Sequence, residues 1–281
     1  MAVRNKVSVA VSVLGLILGA GGLSLSAASL ASADSTTTVN GCTFETSATT
    51  WTLLSNCDST QQIDLPAGIT LDGDNFTISP TFTITDSTNN SAIGIVTANN
   101  VTVKDLSIDG SREGLLPNKQ GVPKGTLHGI NVYVSSGVKI DHVRVSNMGH
   151  TGIVVNGSVA TVSNVTTINN GWSGIDVALG LGVTTPATLN IVGPMAQSDA
   201  AQIVVDDVRK PVTVNDYLHQ YSRAQFGNTA IYTRIFATDK QACKDGGWKL
   251  GLSATQSVEN QGQCVSHFES DGKSGSGNKK D

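Results

Sequence analysis

The stretch from His128 to Val155, HGINVYVSSGVKIDHVRVSNMGHTGIVV, carries one short motif twice, Gly-Ile-x-Val at 129–132 and again at 152–155. A third copy, SGIDV, follows at 173–177, so that Gly129, Gly152 and Gly174 are spaced by 23 and then 22 residues. Between them, Ile140, Val143 and Val145 stand 22 residues before Val162, Val165 and Thr167. Asn147, Gly149 and His150 stand 22 before Asn169, Gly171 and Trp172. Self-similarity at a fixed period marks a repeat architecture. Within each copy every second residue is apolar over short runs, which is the period of a strand. Alternation puts Ile130, Val132, Val138, Ile140, Val143 and Val145 on one face. No single copy can bury that face, so stacked copies must share a core.

The pattern extends in both directions. Upstream, AIGIVTANNVTVKDLSIDG fits with an offset of 37, matching Val101, Val103, Leu106 and Ile108 to Val138, Ile140, Val143 and Val145. Before it, IDLPAGITLDGDNFTI (63–78) reads as the first full copy, and QIVVDDVRKPVTV (202–214) supplies a further one through Ile203, Val205, Val212 and Val214. A period near 22 with three short strands per copy predicts an all-β chain folded as a parallel β-helix, a solenoid, over residues 51–240. The leucine-rich pattern of similar period is absent.

Asp141 and His142 separate inward Ile140 from inward Val143. Inward residues of an unbroken strand lie two apart, so a gap of three means that two residues turn a corner. Lys104-Asp105 and Ser163-Asn164 occupy the equivalent places. Asp141 and His142 therefore read as a corner in preference to a catalytic pair. The aligned Asn147 and Asn169 are expected to hydrogen-bond the backbone of neighbouring copies.

Residues 1–33 read as a secretory signal peptide: Arg4 and Lys6 precede an apolar run, and Ala31-Ser32-Ala33 places cleavage between Ala33 and Asp34. Glycines and serines dilute the run, which argues against a membrane anchor, and no later segment has the apolar length of a membrane span. The expectation is a secreted, extracellular chain. Loss of Arg4 and Lys6 takes the formal charge from −4 to −6, whereas nucleic-acid binding calls for a basic stripe. Four cysteines in an exported chain favour disulfides over a metal site, since no Cys-x-x-Cys pair is present. Of the three possible pairings, Cys42–Cys57 and Cys243–Cys264 join neighbours in sequence. Residues 34–50 form an N-terminal lead-in, 241–268 a disulfide-closed clip around Trp248, and the polar, glycine-rich 269–281 a disordered tail.

The region from about Trp51 to Val214 resembles the right-handed, single-stranded parallel β-helix of the pectate-lyase-like superfamily, through ITLDGDNFTI and the Gly-Ile-x-Val repeat. That resemblance implies fold and leaves function open, because the superfamily holds lyases, hydrolases, epimerases and non-catalytic adhesins. IDHV is similar to a WIDHC stretch of pectate lyases. The terminal CKDGGW…NQGQCVS resembles a segment found on assorted secreted bacterial proteins of unknown role; such a clip would cap the solenoid end or attach the protein elsewhere.

The candidate site lies on the outward side. If Ile130, Val132, Ile175 and Val177 face in, then Asn131, Val154 and Asp176 form an outward column. His150 aligns with Trp172, and both precede a Gly-Ile strand. An outward Trp172 beside His150, Asp176 and Asn131 suits a sugar, whose C–H face packs on the indole while polar groups fix its hydroxyls; a corner aromatic packed on its own loop is the plainer account. An insertion within residues 111–128 brings Arg112, Lys119 and Lys124, with Glu113, close before His128. Those cations would neutralise a uronate carboxylate, or belong to an ordinary solvated loop.

The superfamily's enzyme motifs are missing. RKP (209–211) is only a fragment of the R-x-P-x-x-R arginine motif, and no oxygen-rich calcium cage can be assembled. No cofactor motif is present, so calcium is the one ion the resemblance leaves open. Asp206-Asp207 would point to opposite faces, whereas a hydrolase needs two carboxylates flanking one bond. MGHTG (148–152) is loosely similar to a polygalacturonase histidine motif, and the epimerase D-P-H-D pattern is absent. The leading expectation is a binding or adhesin-like protein whose partner is a polysaccharide or cell-wall glycan. The alternative is a lyase or hydrolase using Arg112, Lys119, Lys124, His128, His150 and Asp176, with Asn131 and Trp172 holding substrate. A structural spacer is the third possibility.

Overall fold

The structure is a computed structural model, and it describes residues 34–84, 90–113, 127–237, 239–244, 248, 252–253, 256 and 258–271. The expected signal peptide, Lys119, Lys124 and most of the terminal tail lie outside the described residues. The described chain is all-β with two short helices.

Two sheets of mainly parallel strands carry the fold. In the first, Thr50–Leu53, Thr70–Asp72, Thr102–Asp109, Val138–Ser146, Val159–Ser163, Ala187–Ile191 and Val212–Asp216 follow one another, each parallel to the next. In the second, Ile63–Asp64, Ser91–Val96, His128–Tyr133, Ile153–Asn156, Ile175–Ala178 and Ile203–Val205 do the same. The registers are those of the sequence repeat: Ile140 faces Val103 on one side and Val162 on the other, and Ile130 faces Ile93 and Ile153.

These pairings set like side chains above one another. Ile63, Ile93, Ile130, Ile153, Ile175 and Ile203 form one fully buried row, with Ile95, Val132, Val155, Val177 and Val205 beside it. Parallel strands lie about 4.8 Å apart, close enough for branched side chains of neighbouring copies to nest. Isoleucine and valine are stiff at χ1 and suit a pleated surface, so they lose little freedom there.

Asp105, His142 and Asn164 adopt left-handed backbone, with φ of 50°, 51° and 51°. Asp141 accepts hydrogen bonds from Ser163 Oγ and from Asn164 Nδ2 (3.0 Å), and its other oxygen lies 3.1 Å from His142 Nδ1. The residues that resemble a lyase motif are thus a corner, as the spacing predicts. The asparagines depart from expectation. Asn169 Nδ2 donates to Asn147 Oδ1 (2.8 Å), and Asn147 Nδ2 donates to Asp109 Oδ1 (2.9 Å). The bonds to neighbouring backbone come from buried Asn170, whose Nδ2 donates to Val145 O (3.3 Å) while its Oδ1 accepts from Met148 N (3.1 Å). A buried amide must find partners, whereas its more exposed neighbours have water.

Both sheets change direction at an end. Ser35–Val39, Cys42–Thr46 and Thr50–Leu53 pair antiparallel, and the disulfide Cys42–Cys57 ties this lead-in down. At the other end the hairpin Tyr221–Phe226/Thr229–Arg234 adds antiparallel to Ile203–Val205, covering Val205 with buried Ala230. Beyond it, the helices Lys240–Lys244 and Gln261–Asp271 are joined by Cys243–Cys264 around a small separate core of Ala237, Trp248, Leu252 and Phe268. The second helix continues past residue 268 into the stretch expected to be tail.

Candidate functional site

The second sheet has one face on the isoleucine row, and the opposite face carries the polar row. The register aligns Gly94, Asn131, Val154, Asp176 and Val204 as direct neighbours. The outward column expected from the sequence is therefore present, but it is covered: Asn131, Val154 and Asp176 retain 5%, 6% and 7% exposure. Asn131 Nδ2 donates to Asn90 Oδ1 (2.9 Å). Among the described residues, Asn131 Oδ1, Asp176 Oδ1 and His128 Nδ1 have no hydrogen-bond partner although buried. Buried polar atoms are rarely left so, which makes these three the anomaly of this face.

At the corner that leads into these strands, three rings stack. His128 and His150 meet edge to face with centroids 4.8 Å apart, and His150 and Trp172 lie 6.0 Å apart at 31°. The spacing follows from the backbone, since His150 N donates to Leu127 O (3.1 Å) and Trp172 N donates to His150 O (2.8 Å). Glycine fixes the approach of the copies just downstream. A Cβ at Gly129 would fall 2.6 Å from Gly152 O, and one at Gly152 would fall 2.6 Å from Gly174 O. His150 Nδ1 lies 2.9 Å from Thr151 Oγ1, which orients the middle ring. Trp172, at the end of the stack, is 50% exposed.

Burial governs the charges here. It pushes the Asp176 carboxyl up to about 7, and the neighbouring Asp206 carboxylate adds to that rise. Asp206 is itself raised by burial, an effect opposed by His150 and Lys210. His128 is held down to about 4 by burial, with a smaller push from His150. His150 is lowered by burial against the pull of Asp206. Charges taken out of water shift toward their neutral forms unless paired.

The structure brings His128, His150 and Trp172 into one stack and sets Asn131 and Asp176 in one row. Arg112 is engaged elsewhere, its Nη1 donating to both oxygens of Asp58 (2.6 Å each). Two further residues belong to the site. Asp206 acts on both Asp176 and His150. Its adjacency was readable in principle, because Val204 aligns with Asp176 and so sets Asp206 at the end of the next strand, two residues along and on the same face. Glu113, fully buried, accepts from Leu127 N (2.8 Å) and Gly149 N (2.6 Å), bracing the chain immediately before His128 and His150. Nothing in the repeat announces it, since it stands in the insertion. The Arg-Lys-Pro segment is locally committed: Arg209 holds Asp207 through two nitrogens (2.8 Å each), and Lys210 Nζ donates to Leu179 O (2.6 Å). Among the described residues, no group of three or more His, Cys, Asp or Glu is arranged to hold a metal ion, and no helix is long and apolar enough to cross a membrane.

No family model matches this chain, and no curated protein matches it. Among solved structures it is similar to a "putative glycosyl hydrolase" from Parabacteroides merdae ATCC 43184, with 13% identity over 58% of this chain and 80% of that one, and a TM-score of 0.33. A likeness at that level transfers neither fold nor activity.

Proposed function

We propose that this chain is an exported, right-handed, single-stranded parallel β-helix whose lateral face binds carbohydrate, at the cell surface or in the medium. The parallel pairings at the repeat's own offsets support the solenoid, because parallel crossovers within one sheet are right-handed in nearly every case. Two disulfides support an oxidising destination. The helix pair closed by Cys243–Cys264 serves as a terminal cap or an attachment module. One observation carries the function: the half-exposed Trp172 indole ends a ring stack whose middle member, His150, feels the Asp206 carboxylate, which in turn acts on Asp176. An exposed aromatic platform flanked by acceptors is what a pyranose needs, with C–H groups on the ring and hydroxyls on the oxygens. The partner is a polysaccharide or cell-wall glycan.

The carboxylate pair favours glycoside hydrolysis as a second reading. Asp176, held near neutrality, would be the acid and Asp206 the second carboxyl.

One experiment addresses both readings. The chain from Asp34 onward is passed over a panel of immobilised polysaccharides, and the same incubations are assayed for new reducing ends and, with and without calcium, for unsaturated uronate. Retention on at least one polymer is expected, weakened about tenfold, or ~1.4 kcal/mol, by Trp172→Ala. Retention indifferent to Trp172 would overturn the assigned site. Reducing ends that vanish with Asp176→Asn would establish the hydrolase.

A further inference from the structure

The binding site described above has an asymmetry of charge and of hydrogen-bonding role. Asn131 uses its amide nitrogen on Asn90, so the orphan left on Asn131 is an acceptor, Oδ1. The orphan on Asp176, Oδ1, accepts whenever the carboxylate is ionised. These two residues are two strand spacings apart on the same face, about 10 Å. His128 Nδ1, also without a partner, belongs to a neutral imidazole at neutral pH. Among the described residues, Arg209 holds Asp207 and Arg112 holds Asp58, while Lys210, bonded to Leu179 O, bears on Asp206 and not on Asp176. Among these residues, Asp206 is the charge acting on Asp176, and His150 and Lys210 are those acting on Asp206.

We infer that this face recognises a sugar bearing a free ammonium group, an amino-sugar unit in its unacetylated form, and discriminates against uronates. The inference rests on the carbohydrate reading above and narrows it. A ligand fitting the row must donate, and hydroxyl and ammonium groups both do so. An ammonium at the buried Asp176 carboxyl also offsets the negative charge that Asp206 directs at it, whereas a uronate adds to that charge in a site of restricted solvent. The exposed Trp172 face is compatible with the same choice, since a cation is attracted to an indole ring. Stabilising Asp176 in its ionised form would also expel the proton that burial retains on it near neutrality. Where the sugar amine is already protonated, its binding therefore releases a proton, and binding of a neutral sugar does not.

The test compares three soluble probes by calorimetry at about pH 5.5, where the amine is charged and Asp176 holds its proton: glucosamine oligomers, N-acetylglucosamine oligomers and galacturonate oligomers, each in two buffers of different ionisation enthalpy. The expected result is at least tenfold tighter binding of the free-amine oligomer, with net proton release for that probe alone. Asp176→Asn should reduce the preference to near parity and abolish the release, while Trp172→Ala weakens every probe that binds. Asp206→Asn, at a more exposed carboxylate, is the second variant should the Asp176 substitution perturb folding. Equal or tighter binding of the acetylated or uronate oligomer would overturn the inference and leave the carbohydrate reading intact. Failure of all three, together with no retention on any polymer of the wider panel, would overturn both.

Discussion

At the scale of single residues, Asp176 and His128 set opposing pH dependences. Asp176 titrates at about 7 in the folded chain against an ordinary 3.8, so between those values the folded state holds a proton the unfolded state has lost. Its contribution to stability therefore falls as pH rises from about 4 to 7. His128 titrates at about 4 against an ordinary 6.5, so over that window the unfolded state holds the extra proton and stability rises with pH. Asp206, raised by burial, reinforces the first trend; His150, lowered by burial, reinforces the second. In the native chain the two slopes largely cancel. Asp176→Asn should unmask a stability that climbs between pH 4 and 6.5, read as urea midpoints across that range, and His128→Gln should unmask a decline toward pH 7. Parallel profiles for the two variants would show that neither group titrates as its burial requires.

At the scale of elements, the parallel strands answer to the spacing of their isoleucines. Ile153 sits in mid-row, between Ile130 and Ile175, with no exposure. Ile153→Ala should cost about 2–5 kcal/mol, measured by denaturant unfolding, whereas Val159→Ala, on an exposed position of a neighbouring strand, should change little. The strands were legible because one alternation recurs at a fixed offset: Ile130, Ile153 and Ile175 can be aligned by eye, and Asn131, Val154 and Asp176 come with them. The corner at Asp141-His142 was legible for the same reason. Burial of the polar row was not, because what covers a face depends on residues outside the repeat. Glu113 reaches Gly149 across 36 residues and Arg112 reaches Asp58 across 54, distances at which no period relates the partners. Asn147 and Asn169 were aligned correctly, yet their partners were not, because residue 170 takes the backbone bonds.

At the scale of the whole molecule, the chain has one long core and one small one. The long core runs from Cys42 and Phe44 to Ala230; the small one gathers about Cys243–Cys264. Closing loops of these lengths contributes about 3 kcal/mol each in the chain-entropy account. Replacing both Cys243 and Cys264 by serine should therefore abolish hydrogen-exchange protection in the helices Lys240–Lys244 and Gln261–Asp271 and leave the isoleucine row as protected as before. Loss of protection throughout would mean that the two cores unfold as one. The same division bears on how the proposed sugar site is carried. Its row and ring stack draw on strands from Ser91 to Val205, inside the long core, so a damaged terminal clip should leave sugar affinity unaltered.

The strands Thr102–Asp109 and Val138–Ser146 keep full register across an offset of 37 residues, although the next pair downstream manages with 22. The surplus leaves the walls undisturbed on either side of it. Sequence at that point is free to lengthen, shorten or be exchanged by recombination without any strand changing partner. Such a chain can acquire a new ligand by altering one excursion, while every copy that supports it is inherited unchanged.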